Sequence, residues 1–301
     1  MAGETVGFIG AGTIGGPMAR RLLETGHDLV VHDLRPEALR PLSEAGAATA
    51  SSPREVAERC RVVLTSLPGP AEVEAVALGE RGILAAARRG DVHVDLSTSS
   101  WALVRRLAEA EARAGVSLVD APVSGGADGA AQGTLTVMAS GSRAAYERVE
   151  PLLRSLGKNV FHLGDSGAGT LVKLANNAVF LCAGLVAQEV FVLAAKAGLD
   201  PARLLEVLRT GSAGIYLGLA ELFLKRGFDA PIFQLSLAEK DVALALDSAR
   251  ELAVPMPVTS AAHQTYVQAL AQGLGPKVFF ATLRAIEAAA GVEVPRLEAG
   301  S

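Results

Sequence analysis

Cysteine is nearly absent from this sequence. Cys60 and Cys182 are the two in the chain, and they fall on separate predicted helices. That excludes a disulfide framework and a cysteine metal cluster, and it fits a reducing, cytoplasmic setting. Aromatic residues are also few, at 4%, with a single tryptophan, Trp101. Basic blocks are missing. The net charge is −4, from 28 Lys and Arg against 32 Asp and Glu, so neither nucleic acid nor an anionic membrane surface is an expected partner. Met1–Thr5 runs straight into a strand pattern, without the charged and apolar regions of a leader. The most apolar run, Leu174 to Ala195, is interrupted by Asn176, Asn177, Gln188 and Glu189. That reads as a buried helix rather than a membrane span. No internal repeat or low-complexity tract is visible.

What remains is an ordinary globular composition, half hydrophobic and a fifth charged, in 301 residues. That length points to two domains. The first half alternates. Strand patterns at Thr5–Ile9, Leu29–Asp33, Arg61–Leu67, Val92–Leu96, Ser117–Val119, Leu135–Ala139 and Val160–Leu163 are separated by helical ones. Apolar, β-branched strands alternating with helices predict an α/β domain with a doubly wound, mainly parallel sheet. After Gly164 the pattern is helical throughout: Thr170–Lys196, Ala202–Arg209, Ile215–Leu224, Leu235–Leu252, Pro257–Gln272 and Val278–Ala290. Asp200-Pro201 reads as an N-cap followed by proline at the first helical position. The change of period predicts domains at 1–164 and 165–301, with a long linking helix over 170–196.

Gly10-Ala11-Gly12-Thr13-Ile14-Gly15 matches G-x-G-x-x-G directly after a strand and at a helix start, the context that gives this motif meaning. Gly10 permits the tight turn, Gly12 lets a pyrophosphate approach the backbone, and Gly15 lets helix pack on strand. The freed N–H groups and the positive helix end face the phosphates. Asp33 lies 23 residues after Gly10, where an acid accepts hydrogen bonds from the adenosine ribose. Its charge opposes a 2′-phosphate and favours NAD. Arg35 could instead pair with that phosphate, which leaves NADP possible, or with Glu37 on the surface.

A second polar feature opens the long helix. Lys173, Asn176 and Asn177 fall at i, i+3 and i+4 among Ala, Leu, Val and Phe, so they share one predicted face. Either they satisfy one another or they hold a polar ligand.

Together these stretches resemble the 3-hydroxyisobutyrate dehydrogenase family, the β-hydroxyacid dehydrogenases. Gly7-Phe8-Ile9-Gly10-Ala11-Gly12-Thr13-Ile14-Gly15-Gly16-Pro17-Met18-Ala19 is similar to the family's cofactor signature. Asp120-Ala121-Pro122-Val123-Ser124-Gly125-Gly126, followed by Ala130 and Gly133-Thr134-Leu135, resembles its substrate signature. Gly167–Asn177, with Lys173, resembles its catalytic signature, and Lys240-Asp241 completes the order. The resemblance implies a Rossmann domain, an all-helical C-terminal domain for substrate and assembly, and a homodimer or homotetramer. It implies hydride transfer between NAD(P) and a short β-hydroxy acid or its semialdehyde.

Alcohol oxidation also requires a proton acceptor. His27, His32, His93, His162 and His263 form no pair at ligand spacing and lie in no matching motif; no metal site is expected. Lys173 is the remaining candidate, and the resemblance puts the family's catalytic lysine there, with Asn177 orienting the substrate and Asn176 a structural neighbour. Ser124, Gly125 and Gly126 offer a hydroxyl and backbone N–H groups to a carboxylate; a plain turn is the alternative. By similarity, Leu67, Pro68 and Thr98 line the cofactor at strand ends. Lys240 lies seven residues after Phe233, on one side of a predicted helix. The family's lysine at that place reaches the cofactor, and a surface Lys paired with an acid is the alternative reading.

Two departures stand out. Trp101 replaces the family's common proline after Ser97-Thr98. Pro276-Lys277-Val278 follows Gly273-Leu274-Gly275, where an acid is frequent. The loop Gly211–Tyr216 and Phe233 are expected to shape the substrate's side-chain pocket. Rival expectations are an NADPH-dependent reductase of glyoxylate, succinic semialdehyde or tartronate semialdehyde, an imine reductase, and a catalytically inactive dinucleotide-binding scaffold.

Overall fold

A computed structural model describes residues 4–214, 220–230 and 232–297. Two compact units are distinguished, Met1–Lys173 and Leu174–Ser301. Ile215 and Tyr216 of the expected pocket loop, and the start of the helix expected from Ile215, lie outside the described residues.

In the first unit, strands β1 (Val6–Ile9), β2 (Leu29–His32), β3 (Ala48–Thr49), β4 (Val62–Thr65), β5 (Val92–Asp95) and β6 (Ser117–Asp120) form a six-stranded sheet. All its pairings are parallel, in the order β3-β2-β1-β4-β5-β6. The order reverses between β1 and β4, which is the switch point where such sheets bind ligands. The connections are α1 (Gly15–Glu24), α2 (Pro36–Glu44), α3 (Pro53–Arg59), α4 (Pro70–Leu78) and α5 (Trp101–Ala114). Three of these helices open on proline, at Pro36, Pro53 and Pro70, where the missing N–H costs nothing. Strand residues such as Val6, Phe8, Val31, Val62, Leu64 and Val94 are buried, each worth roughly 1.5–3 kcal/mol by transfer. Burial on both faces explains why these strands read as apolar runs instead of alternating.

The later strands do not extend this sheet. β7 (Val123–Ser124), β8 (Leu135–Ala139) and β9 (Gly157–His162) form a second, three-stranded sheet, with β7 antiparallel and β9 parallel to β8. The short α6 (Gly126–Gln132) and α7 (Arg143–Leu156) complete the unit.

α8 (Ala168–Lys196) begins in the first unit and runs into the second. By length and composition it could cross a membrane, but half of its most apolar window is buried within the chain. The second unit adds α9 (Pro201–Thr210), α10 (Ala220–Leu224), α11 (Leu235–Glu251), α12 (Pro257–Ala271) and α13 (Thr282–Ala290). The Asp200 side chain accepts the Ala202 N–H and caps α9, with Pro201 following as expected. The scarce aromatics concentrate here: Phe191, Phe223, Phe228, Tyr266, Phe279 and Phe280 are buried, and Phe191 meets Phe223 edge-on at 5.5 Å. Such a contact adds to simple area burial. α11 starts at Leu235, with Gln234 extended before it. Phe233 therefore precedes the helix instead of sharing a helical face with Lys240; its ring packs against Phe279 at 5.8 Å.

Candidate active site

The glycine loop joins β1 to α1. Gly10 has φ +95°, and a Cβ there would lie 2.2 Å from the Ser66 carbonyl oxygen; at Gly15 it would lie 1.9 Å from the Gly10 oxygen. Both positions exclude a side chain by contact with the protein's own backbone. Gly12 differs. Its backbone is unstrained, and the nearest atom to an added Cβ is the Arg35 guanidinium, at 3.6 Å. Protein packing gives no reason for glycine at Gly12, whereas a ligand brought close to its backbone does. The loop therefore fits a dinucleotide pyrophosphate, with Ala11 buried, Ile14 half-buried and Thr13 exposed beside it.

Asp33 is the first residue past β2. Its Oδ2 accepts the Ala11 N–H at 2.8 Å, and its Oδ1 accepts the Arg35 backbone N–H at 2.9 Å and Nε–H at 3.2 Å. Burial pushes the Asp33 carboxyl up, but the Arg35 and Ala11 hydrogen bonds outweigh it and hold the group below its ordinary value. Arg35 thus pairs with Asp33 rather than with Glu37. At 58% side-chain exposure the guanidinium is open to solvent.

The ends of β4 and β5 are tied together: the Leu67 N–H donates to Ser97 Oγ at 2.9 Å. Leu67 and Thr98 are half-buried and Pro68 is exposed. Trp101 opens α5 with the Arg105 guanidinium over its ring at 4.9 Å. Ser124 ends β7. Gly125 and Gly126 follow at φ +136° and +68° and start α6. Both glycines are exposed, and nothing lies within 4 Å of an added Cβ at Gly126.

Asp120, at the end of β6, fastens the start of the long helix α8. Its Oδ1 accepts from Ser140 Oγ at 2.6 Å and from the Gly167 N–H at 2.9 Å. Its Oδ2 accepts from the Thr170 N–H at 3.0 Å and Oγ1–H at 3.2 Å. Ser140 Oγ in turn accepts the Gly169 N–H at 2.9 Å. Of the first-turn N–H groups of α8, which have no partner inside the helix, Ala168 donates to the Asp165 carbonyl, and Gly169 and Thr170 are satisfied by this hydroxyl and this carboxylate. Burial raises the Asp120 carboxyl above its usual range, against the pull of these donors. Lys173, three residues after Thr170, is 8% exposed. Asp120 opens the stretch that resembles the substrate signature, but motif spacing does not reveal its contacts with Ser140 and the start of α8.

The three polar residues expected to share a face all lie on α8 and differ in burial, with Lys173 buried. Asn177 is buried and Asn176 is exposed. Asn176 donates to Asn177 Oδ1 at 3.0 Å, and Asn177 donates to Asp241 Oδ2 at 2.6 Å. Lys240 Nζ lies 3.0 Å from Asp241 Oδ1, within ion-pair range. Asn177 and Lys240 therefore meet through one buried carboxylate.

The histidines are occupied elsewhere. His32 bonds the Ala50 carbonyl, His162 that of Gly141, His263 meets Glu239, His27 meets Ser155, and His93 meets Glu111 and Thr65. Among the described residues no group of three or more His, Cys, Asp or Glu could hold a metal ion.

Two family models match this chain. One, the NAD binding domain of 6-phosphogluconate dehydrogenase, covers residues 5–164. The other, NAD-binding of NADP-dependent 3-hydroxyisobutyrate dehydrogenase, covers residues 167–286. A solved structure of 3-hydroxyisobutyrate dehydrogenase from Salmonella typhimurium is similar with a TM-score of 0.84 and 31% identity, over 94% of this chain and 99% of that one. The chain belongs to the 3-hydroxyisobutyrate dehydrogenase family. It is an NAD(P)-dependent oxidoreductase with a Rossmann domain and a helical domain. Within the family, it is 37% identical to 2-(hydroxymethyl)glutarate dehydrogenase of Eubacterium barkeri, over 96% of this chain and 97% of that protein. It is also 37% identical to 2-hydroxy-3-oxopropionate reductase of Escherichia coli, over 94% and 97%. Two relatives named for different substrates stand at equal identity, so identity alone does not choose between them.

Proposed function

We propose that this protein interconverts a short β-hydroxy carboxylic acid and its semialdehyde, with Lys173 as the general acid and base. The observation that carries this reading is the place of Lys173. It is a buried amine one turn into a helix whose first turn is fastened to the end of β6, in a chain whose histidines are all engaged elsewhere. When bound, the dinucleotide supplies the hydride acceptor or donor. The protein's part is the proton. Lys173 takes it from the substrate hydroxyl in oxidation, returns it in reduction, and as an ammonium stabilises charge on that oxygen. Ser124 and the N–H groups of Gly125 and Gly126 take the substrate carboxylate. Asn177, its amide fixed by Asn176 and Asp241, orients the substrate. Gly10, Ala11, Gly12, Thr13, Ile14 and Gly15 receive the pyrophosphate, and Leu67, Pro68 and Thr98 line the nicotinamide half.

The test is a screen of small β-hydroxy acids, with the matching semialdehydes in reverse, against both nicotinamides. Turnover of β-hydroxy acids supports the reading. Activity confined to imines, or cofactor binding without turnover of any member, overturns it. The same titration addresses cofactor choice. Asp33 is held ionised and the residues reading the ribose favour NAD, with Arg35 able to turn outward to a 2′-phosphate. Arg35→Ala is expected to weaken NADP binding about tenfold, as loss of a charge-assisted contact does, and to leave NAD binding within about twofold. Equal losses for both would rule out that role.

The assembly expected is a homo-oligomer. In the second unit α8 leaves Val179, Val186 and Leu193 exposed at 65%, 54% and 70%, every seventh residue, an apolar seam of the kind a second helix covers. Light scattering should give a mass above one protomer, and a monomer at micromolar concentration would dismiss it.

A further inference from the structure

Trp101 is the one tryptophan of the chain, and it stands where the family commonly has proline. It takes the first position of α5, directly after Ser100, whose side chain accepts the Leu103 N–H and caps the helix. Proline suits that position, because the N–H it lacks has no partner there. A large ring brings the helix no such gain. Its reason lies in what it touches.

The ring reaches the turn before α8. Gly167 has φ +101°, and a Cβ on it would lie 2.9 Å from Trp101 Nε1 and 3.0 Å from Cδ1. The edge of the indole thus fills the space that a side chain at 167 would take. The left-handed backbone already favours glycine there, and the ring makes a second, separate demand. Arg105, one turn along α5, holds the ring in place. Its guanidinium lies over the ring at 4.9 Å from the centroid, and its Cγ is 3.7 Å from the same point beside Gly167.

The two segments that meet at this ring both serve the reaction. One is Ser97–Ser100. The Ser97 N–H donates to Asp95 Oδ1 at 3.1 Å, and Ser97 Oγ accepts the Leu67 N–H at 2.9 Å, so the segment is fixed at its start. The Ser100 cap fixes its end. Thr98, between them, is assigned to the nicotinamide half of the cofactor. The other segment is the start of α8. The Gly167 carbonyl accepts the Leu171 N–H at 3.0 Å, and Lys173 follows six residues after Gly167. Asp120 fastens this turn to the end of β6 by hydrogen bonds. Trp101 joins it to the segment after β5. The amine and the nicotinamide act on one substrate, and a misplacement of about 1 Å can cost about 10²-fold in rate.

We propose that Trp101 is a positioning residue for the proton transfer: its ring registers the start of the Lys173 helix against the segment that lines the nicotinamide. The tie belongs to this chain rather than to the family at large. It rests on the assignment of Lys173 to the proton and of Thr98 to the nicotinamide.

Two variants separate this role from simple packing, after circular dichroism confirms folding. Trp101→Ala should lower kcat about tenfold or more while KM and Kd(NAD) stay within about threefold. Its solvent deuterium isotope effect on kcat should rise, because a misplaced amine slows the proton step. Trp101→Phe keeps a flat ring and should recover most of the loss. Trp101→Leu takes the place of alanine should that chain not fold. Amide hydrogen exchange in residues 165–173 should quicken in Trp101→Ala and return toward native in Trp101→Phe. Native kcat in Trp101→Ala overturns the proposal. So does a fall in kcat matched by weaker NAD binding with the isotope effect unchanged, or unchanged exchange at the start of α8. A wild-type chain that turns over no hydroxy acid would instead sink the reaction assigned to Lys173, and the exchange rates would then decide the tie by themselves.

Discussion

Lys173→Ala should lower turnover by about 10²–10⁴-fold, the range for loss of a positioned proton donor and acceptor. It should also leave NAD(H) affinity within about threefold. The split arises from where the parts lie. The pyrophosphate loop, Asp33 and the tied ends of β4 and β5 are held by hydrogen bonds among themselves. Steady-state kinetics with a cofactor titration on the same preparation separates the two effects. If cofactor affinity fell in step with turnover, Lys173 would be supporting the fold instead of moving a proton.

Asp120→Ala should destabilise the protein by about 3 kcal/mol. Roughly 1 kcal/mol comes from the lost helix cap, and about 1–3 kcal/mol from buried donors left without a partner. Ser140, Gly167 and Thr170 all donate to that carboxylate. With the first turn of α8 released, Lys173 loses its fixed position, so kcat should fall more than KM rises. Asp120→Asn, which still accepts on one oxygen, should lie between alanine and the native chain in both respects. Urea unfolding followed by circular dichroism gives the stability. A change below about 1 kcal/mol would mean that the start of α8 is held by something other than this clamp.

How far the sequence carries depends on the range of each interaction. The glycine loop and the acid after β2 are local patterns, and the structure adds the reason glycine is needed: backbone contact at Gly10 and Gly15, and no backbone contact at Gly12, where the Arg35 guanidinium is the nearest atom. The capping of α9 by Asp200 is likewise a matter of adjacent residues. The Asp120 clamp joins residues 20, 47 and 50 positions apart, and no periodicity encodes such a meeting. The same holds for His93 and Glu111, which meet across 18 positions. The second sheet escapes sequence reading because β8 is as apolar as β4, and hydrophobic pattern does not say which neighbour a strand pairs with. The spacing of Phe233 to Lys240 suits a helix, yet the chain is still extended at Gln234. For Arg35 the sequence offers Glu37 or a 2′-phosphate, and the side chain folds back on Asp33, two residues away.

The most direct test of the central claim uses the Lys173→Ala enzyme with added primary amines. If an amine at that place carries the proton, small amines should restore part of the lost turnover, saturably, and their efficiency should track amine basicity at constant size. The account predicts that dependence. Native turnover without any amine, or restoration that ignores amine basicity, would contradict it.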